Sequence, residues 1–227
     1  MTWFLQKKFE NRLGAVLIND YFNINLYDFV LKNFFKINKD FFKKIESYLK
    51  PEDYEKVLDI GSGTSSFSIY LKNENPTLDI YDIDGSKEML RIAKRKIEDE
   101  NLNIKLEEAL AENIPYEDNY FDKIVAVFLF SYIPKTIKPY AMKELYRVLK
   151  PGGKLIIVDI SNQSGLKKYL ELFKYVPNPF FIEDGLNGNY FKLLDGANFK
   201  NISQVPILDK FVDISIIEAN KTLQINK

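Results

Sequence analysis

The sequence predicts an α/β protein with a doubly wound, mostly parallel sheet, an antiparallel edge strand and helices on both faces. One observation is the apolar run at 57–60, which leads into a turn with glycines at 61 and 63 and then directly into an amphipathic segment. A second is that apolar runs of strand length alternate with segments of helical periodicity as far as residue 160. Such alternation is typical of parallel strands joined by crossover helices.

The predicted elements follow in order along the chain. Apolar residues recur at helical spacing over 34–49, and Lys50-Pro51 ends that segment. Strands are expected at 56–60, 78–82, 104–107, 123–129, 154–159 and 202–205. Helices are expected at 64–72, 87–100, 139–149 and 192–197. The segment 211–218 alternates apolar and polar residues, and this pattern predicts the edge strand.

The chain is expected to form one domain, because 227 residues with 46% hydrophobic content suit a single core. Within 1–227 the prediction is a helical cover over 1–50, a ligand-binding core over 51–160, a lid insert over 161–190 and the end of the sheet over 191–227. The insert is inferred because the regular alternation stops there and polar residues and prolines take its place.

The composition excludes several kinds of chemistry. The chain has no Cys and no His, which excludes disulfides, thiolate chemistry and the commonest general base, and no metal site is expected. Lys plus Arg and Asp plus Glu balance at 32 each, so no overall field favours nucleic acid. No apolar run is long enough for a membrane span, and the N-terminal segment has no signal-peptide pattern, so a cytoplasmic location is expected.

The turn after the first predicted strand is a candidate ligand site. Asp59 precedes it, and Gly61 and Gly63 lack the Cβ atoms that would keep a ligand away from the backbone. The amides at 64–66 begin a helix and favour an anionic group. At the end of the next strand, Asp84 can accept hydrogen bonds from both hydroxyls of a ribose, since Ser86 can cap the following helix instead.

Three further motifs make the chain resemble the class I S-adenosylmethionine-dependent methyltransferases, which have a Rossmann-like fold. The segment 84–90, Asp-Gly-Ser-Lys-Glu-Met-Leu, is similar to the family's Asp-x-Ser-x-x-Met-Leu. The segment 111–122 resembles Ala-Glu-x-Leu-Pro-Phe followed by Ser-Phe-Asp, and 144–153 resembles Glu-x-x-Arg-Val-Leu-Lys-Pro-Gly-Gly. Within that class the resemblance is to the small-molecule branch that includes the menaquinone and ubiquinone biosynthesis enzymes.

The resemblance implies S-adenosylmethionine as cofactor and assigns roles to matching residues. Asp59, Gly61 and Gly63 would line the methionine end and Asp84 the ribose. The complete set implied as cofactor-binding also includes Gly85, Ala111 at the adenine edge, and Phe128 and Leu129 at the methyl-bearing sulfur.

Three residues depart from the family pattern. Ser65 stands at the third glycine of the turn and is expected to crowd the methionine end. Gly85 replaces a bulkier residue that packs on the adenine, and Leu110 stands where an Asp often bonds the adenine amino group. Each change removes a contact worth about 1 kcal/mol, so weaker cofactor binding is expected.

The function implied is methyl transfer to a small acceptor by in-line displacement, which requires no dedicated base. If a base is needed, the candidates are Tyr132, Glu183 and Asp184. The aromatic residues of 1–30 and 161–190 indicate an apolar or aromatic acceptor. The fourth strand lacks the Asn/Asp-Pro-Pro-Tyr motif of amino-directed nucleic-acid methyltransferases, so a nucleic-acid partner is not expected.

Two other readings stay open on the sequence. A nicotinamide-dependent dehydrogenase would need a small third residue in its glycine motif, where this chain has Ser66. A catalytically silent S-adenosylmethionine-binding or scaffold protein on the same fold is suggested by the departures at 65, 85 and 110.

Overall fold

The computed structural model describes residues 37–162, 190–208 and 213–223. The strands are β1 Lys56–Ile60, β2 Asp79–Asp84, β3 Ile104–Glu108, β4 Phe121–Val127, β5 Leu149–Asn162, β6 Lys200–Leu208 and β7 Asp213–Asn220. The helices are α1 Lys39–Leu49, α2 Ser66–Glu74, α3 Lys87–Asp99, α4 Leu129–Tyr132, α5 Lys138–Val148 and α6 Tyr190–Gly196. Each predicted strand and helix between 39 and 160 is present, with bounds shifted by a few residues, and the short helix α4 is additional.

The strands form one seven-stranded sheet in the order β3-β2-β1-β4-β5-β7-β6. The pairs β1–β2, β2–β3, β1–β4 and β4–β5 are parallel, while β7 runs antiparallel to both β5 and β6. The predicted fold class is therefore confirmed. The prediction that 211–218 lies at the edge is wrong in place, because β7 is inserted between β5 and β6, and β6 forms that edge of the sheet.

Helices cover both faces of the sheet, as predicted. On one face α1 and α2 pack on the strands through residues such as Ile45, Leu49 and Leu71. On the other face α5 and α6 pack through Met142, Leu145 and Leu194. Side chains of β4 alternate between the two clusters, which places the centre of the core at this strand.

Two helices begin at side-chain caps. Asn38 precedes α1, and its Oδ1 accepts a hydrogen bond from the Phe41 amide at 3.2 Å. Ser86 precedes α3, and its hydroxyl accepts from the Met89 amide at 3.3 Å, which confirms the predicted cap. The first turn of each helix therefore starts at a defined residue near the end of the sheet where the parallel strands terminate, called here the carboxyl edge.

The Glu-x-x-Arg part of the 144–153 motif has a structural role. The Arg147 guanidinium on α5 donates to the carbonyls of Ile114 and Tyr116 at 2.9 and 2.7 Å. Glu144 pairs with Arg147 at 2.7 Å and accepts the Ile114 amide at 3.0 Å. These bonds fix the segment between β3 and β4 against α5, and the ion pair lowers the pKa of Glu144.

Most of the predicted lid, 161–190, and residues 1–36 of the predicted helical cover lie outside the described residues. Within the ranges that are described, no helix is both long and apolar enough to cross a membrane.

Candidate functional site

A cleft of about 520 Å³ opens at the carboxyl edge beside β1 and β4. Four parts of the chain build it: the end of β1 with the glycine turn, the first residues of α2, the end of β4, and the first turn of α1 with the residues before it. The lining residues are Ile37, Asn38, Lys39, Asp40, Phe42, Asp59, Gly61, Ser62, Gly63, Thr64, Ser66, Phe67, Val127 and Phe128. The volume is in the range of small-molecule sites.

The floor of the cleft is the turn between β1 and α2. Gly61 has a φ of +72°, a conformation that side chains disfavour. An added Cβ at Gly61 would lie 2.7 Å from Leu129 Cδ1, so the first residue of α4 packs directly on the turn. The amides of Gly61 and Ser62 donate to the carbonyl of Ile83 at 2.7 and 3.2 Å, which anchors the turn to β2.

Asp84 is bonded to the same turn from the end of β2. One carboxylate oxygen accepts the Gly63 amide at 2.9 Å, and the other accepts the Ser86 amide at 2.8 Å. Burial raises the pKa of Asp84, and these two amides act against that shift. Each oxygen keeps a second lone pair, so the carboxylate can still accept bonds from a ligand.

Asp59 lies at the inner wall of the cleft with 2% of its surface exposed. Its Oδ2 accepts from the Ser68 hydroxyl at 3.0 Å, while its Oδ1 is buried without a hydrogen-bond partner. Burial first, and the nearby Asp82 carboxylate second, raise its pKa well above the usual range. A buried oxygen of this kind beside a cleft is suited to accept a donor from a bound ligand.

A second buried carboxylate, Asp82, lies behind the turn. The Ser68 hydroxyl also lies 2.5 Å from Asp82, although it has only one proton to donate. One Ser68 proton therefore cannot serve both carboxylates at once. Burial raises the pKa of Asp82 to about 7, against the effect of hydroxyl donors from Ser65 and Ser68.

Ser65 occupies a left-handed conformation, with φ of 58°, at the position where the resemblance implies a glycine. Its hydroxyl donates to Asp82 and the residue is completely buried. Ser65 does not line the cleft, although Thr64 and Ser66 do. The expectation that Ser65 crowds the methionine end is therefore wrong: the hydroxyl points behind the turn, where it bonds a carboxylate.

The end of β4 supplies an aromatic wall. Phe128 has a φ of 59° and directly precedes the short helix α4. Its ring stacks on Phe41 of α1 with centroids 6.2 Å apart and planes 7° from parallel. Phe42 packs edge-on against Phe67 at 5.7 Å, and both line the same cleft. These rings make one side of the cleft apolar.

The predicted site residues thus fall into two groups. Asp59, Gly61, Gly63 and Phe128 line the cleft, Leu129 packs on Gly61, and Asp84 bonds Gly63. Gly85 and Ala111 lie beyond Asp84, between the ends of β2 and β3, and do not line it. The structure brings the first group together, while in the second Gly85 is exposed and Ala111 is buried in the core.

The candidate bases are less well supported. Tyr132 is in α4 and 38% exposed, and burial of its hydroxyl, followed by the Asp159 carboxylate, raises its pKa. A raised pKa makes phenolate rarer, so Tyr132 suits a hydrogen-bond donor better than a base. Glu183 and Asp184 lie outside the described residues.

Sequence reasoning missed two groups of residues. The first turn of α1 brings Asn38, Lys39 and Asp40 to the cleft, and only the capping pattern of Asn38 marks this turn in the sequence. At the end of β5, buried Asp159 accepts hydroxyl protons from Ser131 and, at 2.7 Å, from Tyr190. Nothing in the local sequence links these three residues.

Comparisons with known proteins agree with this geometry. Residues 57–153 match the model of a family described as a methyltransferase domain. The chain is similar to a demethylmenaquinone methyltransferase from Geobacillus sp. (strain WCH70), with 37% identity over 109 residues, 47% of this chain and 46% of the relative. The match spans between 46% and 61% of the length of the first curated relatives, about half in several cases.

Two solved structures are also similar. A proposed S-adenosyl-L-methionine-dependent methyltransferase from Methanococcus maripaludis has a TM-score of 0.65 and 27% identity, covering 88% of this chain and 93% of that one. The cyclase SpnF has a TM-score of 0.65 and 18% identity over 82% of this chain and 81% of its own, a likeness of fold alone.

The strand order, the glycine turn and the acidic residues at the ends of β1 and β2 define a doubly wound protein with a cleft at its carboxyl edge. The family match over 57–153 makes the class more specific. The predicted resemblance to class I S-adenosylmethionine-dependent methyltransferases is confirmed, with S-adenosylmethionine as the cofactor of that class.

Proposed function

We propose that the protein transfers the methyl group of S-adenosylmethionine to a small apolar or aromatic acceptor. The observation that carries the proposal is the joining of Asp84 to Gly63 by a 2.9 Å hydrogen bond beside a cleft that ends at Asp59 and Phe128. This arrangement sets a carboxylate for a ribose next to bare backbone for an amino-acid moiety.

The residues at the site fit the cofactor. The unpartnered Oδ1 of Asp59 can accept from the ammonium group, and no side chain could stand at Gly61 without meeting Leu129. When bound, S-adenosylmethionine supplies an electrophilic methyl group on a sulfonium, so no general base is needed for its activation. Asp84 would hold the ribose hydroxyls, and Phe128 and Leu129 would border the methyl end.

The acceptor class is inferred from the cleft wall. Phe42, Phe67 and Phe128 give this wall aromatic surface, which favours a flat apolar molecule and excludes water from the methyl group. The curated relatives are named for demethylmenaquinone, an acceptor name that agrees with this class. We propose in-line displacement between an acceptor placed against this wall and the sulfonium.

The proposal is tested by incubating the protein with methyl-labelled S-adenosylmethionine and a metabolite extract, followed by mass analysis. We expect wild-type protein to form a labelled product and Asp84→Ala to form none. Asp84 is the last residue of β2 and is only partly exposed, so circular dichroism must verify that the variant keeps the fold.

A catalytically silent cofactor-binding protein is the second candidate function. Leu110 and Gly85 favour it, because neither offers a side-chain acceptor to the adenine, and a cyclase shares the fold. Calorimetry with S-adenosylmethionine and S-adenosylhomocysteine separates the candidates. Binding with no labelled product from any extract would favour the silent protein, whereas no binding of either would contradict both.

A further inference from the structure

Leu110 and Gly85 form a contact next to the proposed cofactor site. An ideal Cβ at Gly85 would lie 2.9 Å from Leu110 Cδ2 and 3.8 Å from the Ala109 carbonyl oxygen. The Leu110 side chain therefore occupies the space that a larger residue at 85 would need. Leu110 is nevertheless 39% exposed, so part of its apolar surface is open to solvent.

The backbone holds Leu110 in this place. The Ala109 amide donates to the Asp84 carbonyl at 3.3 Å, which ties the end of β3 to the end of β2. The Asn113 amide donates to the Leu110 carbonyl at 2.9 Å, and Ala111 is buried in the core. The position of Leu110 over Gly85 is thus a property of the fold.

The order of the strands places a purine at this contact, if the function proposed above is correct. The cleft for the methionine end lies at β4 and β1, and Asp84 for the ribose is on β2. Continuing in the same direction, the base reaches the gap between β2 and β3, which Gly85 and Leu110 flank. The neighbouring carboxylate of Glu108 faces Lys87, at 3.7 Å.

We propose that Leu110 makes the base site insensitive to the 6-amino group of the purine. A leucine side chain has no hydrogen-bond acceptor, so it contacts the base through methyl groups alone and cannot distinguish an amino group from a hydrogen. Gly85 leaves the room that Leu110 needs for this contact. The site is expected to bind adenosyl ligands and their 6-deamino or 6-substituted purine analogues with similar affinity.

The test compares two ligands by calorimetry on the full chain: S-adenosylhomocysteine and its analogue with purine in place of adenine. Both ligands keep the ring nitrogens, so they differ only in the amino group. Wild type is expected to bind them within about threefold of each other. Leu110→Asp supplies an acceptor, so it should bind the purine analogue about tenfold more weakly than S-adenosylhomocysteine.

Leu223→Asp is the matched control. Leu223 also packs over a glycine, since a Cβ on Gly152 would lie 3.0 Å from its Cδ2, and it is 71% exposed. Gly152 is near the start of β5, so it lies at the end of the sheet where the parallel strands begin, opposite the carboxyl edge. This variant should keep the wild-type ratio of affinities. Leu110→Asn, which carries an amide oxygen, replaces Leu110→Asp if the charged variant fails to fold.

Two results would overturn this inference without contradicting the proposed function. One is a tenfold or greater loss when wild type meets the purine analogue, because another group would then recognise the amino group. The other is an unchanged affinity ratio in folded Leu110→Asp and Leu110→Asn, because position 110 would then lie out of reach of the base. If wild type binds neither ligand, the proposed function fails as well, and the inference fails with it.

Discussion

At the residue scale, Gly→Ala substitutions at 61, 63 and 196 can distinguish the cost of a left-handed backbone from the cost of a steric clash. Gly61 has positive φ and no room for a Cβ, Gly63 has positive φ with nothing within 4 Å, and Gly196 ends α6 with open space. Gly63→Ala should cost about 1 kcal/mol in the free energy of unfolding, since it adds only the left-handed penalty.

Gly61→Ala should cost more, by a further ~1–3 kcal/mol, because its Cβ displaces Leu129. Gly196→Ala should be neutral or stabilise the protein by up to ~1 kcal/mol, because alanine favours the helix. Urea unfolding of the three variants measures these differences. Equal losses for Gly61→Ala and Gly63→Ala would show that the contact between Leu129 and the turn is soft.

Asp82 makes stability depend on pH in an unusual direction. Its pKa is about 7 in the folded protein, because burial disfavours the charge, and about 3.9 in the unfolded chain. Between these values the folded state keeps a proton that the unfolded state has released. The free energy of unfolding therefore falls as pH rises through this window, by at most about 1.4 kcal/mol per pH unit, and the stabilising effect of protonation is lost above about pH 7.

Asp82→Asn should reduce this slope to the part that Asp59 contributes, since the amide cannot titrate and can still accept the Ser65 hydroxyl. Asp79→Asn, at an exposed position of the same strand, is the control and should keep it. Unfolding free energies between about pH 4 and about pH 8 measure the difference between the variants. Parallel curves for wild type and Asp82→Asn would mean that the retained proton belongs to Asp59 alone.

At the scale of the element, α1 links stability to the cleft. Its first turn lines the cleft and begins at the Asn38 cap, while its buried face anchors the rest of the helix. Asn38→Ala should cost about 1 kcal/mol of stability and fray this first turn. S-Adenosylhomocysteine should then bind several times more weakly, as calorimetry can measure.

The control for α1 is Ile97→Val, a buried substitution in α3 away from the cleft. It should cost a similar ~0.5–1.5 kcal/mol without changing the affinity. Should both variants bind equally well, the first turn of α1 would be part of the scaffold and not of the binding surface.

At the scale of the whole molecule, the sequence predicts those structural features that are determined by residues close together in the chain. The strand at 56–60, its glycine turn and the Ser86 cap depend on local patterns and appear as expected. The insertion of β7 between β5 and β6 depends on pairing between distant segments, which alternation within 211–218 cannot specify.

The same limit applies within the site. Ser65 looked like an obstacle because its partner, Asp82, is 17 residues away and lies behind the turn only once β2 is paired with β1. Leu110 and Gly85 looked like two separate losses, although in three dimensions one side chain fills the space left by the other. The effect of each of these departures from the family pattern therefore becomes clear only when its partner in the folded protein is known.

Ligand-linked stability tests the site and the scaffold together. A ligand that binds only the folded state at about 100 times its dissociation constant adds about 2.7 kcal/mol, which raises the Tm of a chain of this size by roughly 5–10 °C. S-Adenosylhomocysteine should produce such a shift in wild type. Asp84→Asn should lose most of the shift, because the neutral amide is a weaker acceptor for the ribose hydroxyls.

Arg147→Lys serves as the scaffold control for this measurement. Lysine cannot bond both the Ile114 and Tyr116 carbonyls in the fixed geometry of the guanidinium, so the Tm without ligand should fall. The shift on adding ligand should nevertheless stay close to that of wild type, because Arg147 lies on α5 and does not line the cleft. An Asp84→Asn variant with a full shift would show that the ribose is held by some other group. A reduced shift in Arg147→Lys would instead mean that the segment between β3 and β4, which this arginine fixes, contributes to binding.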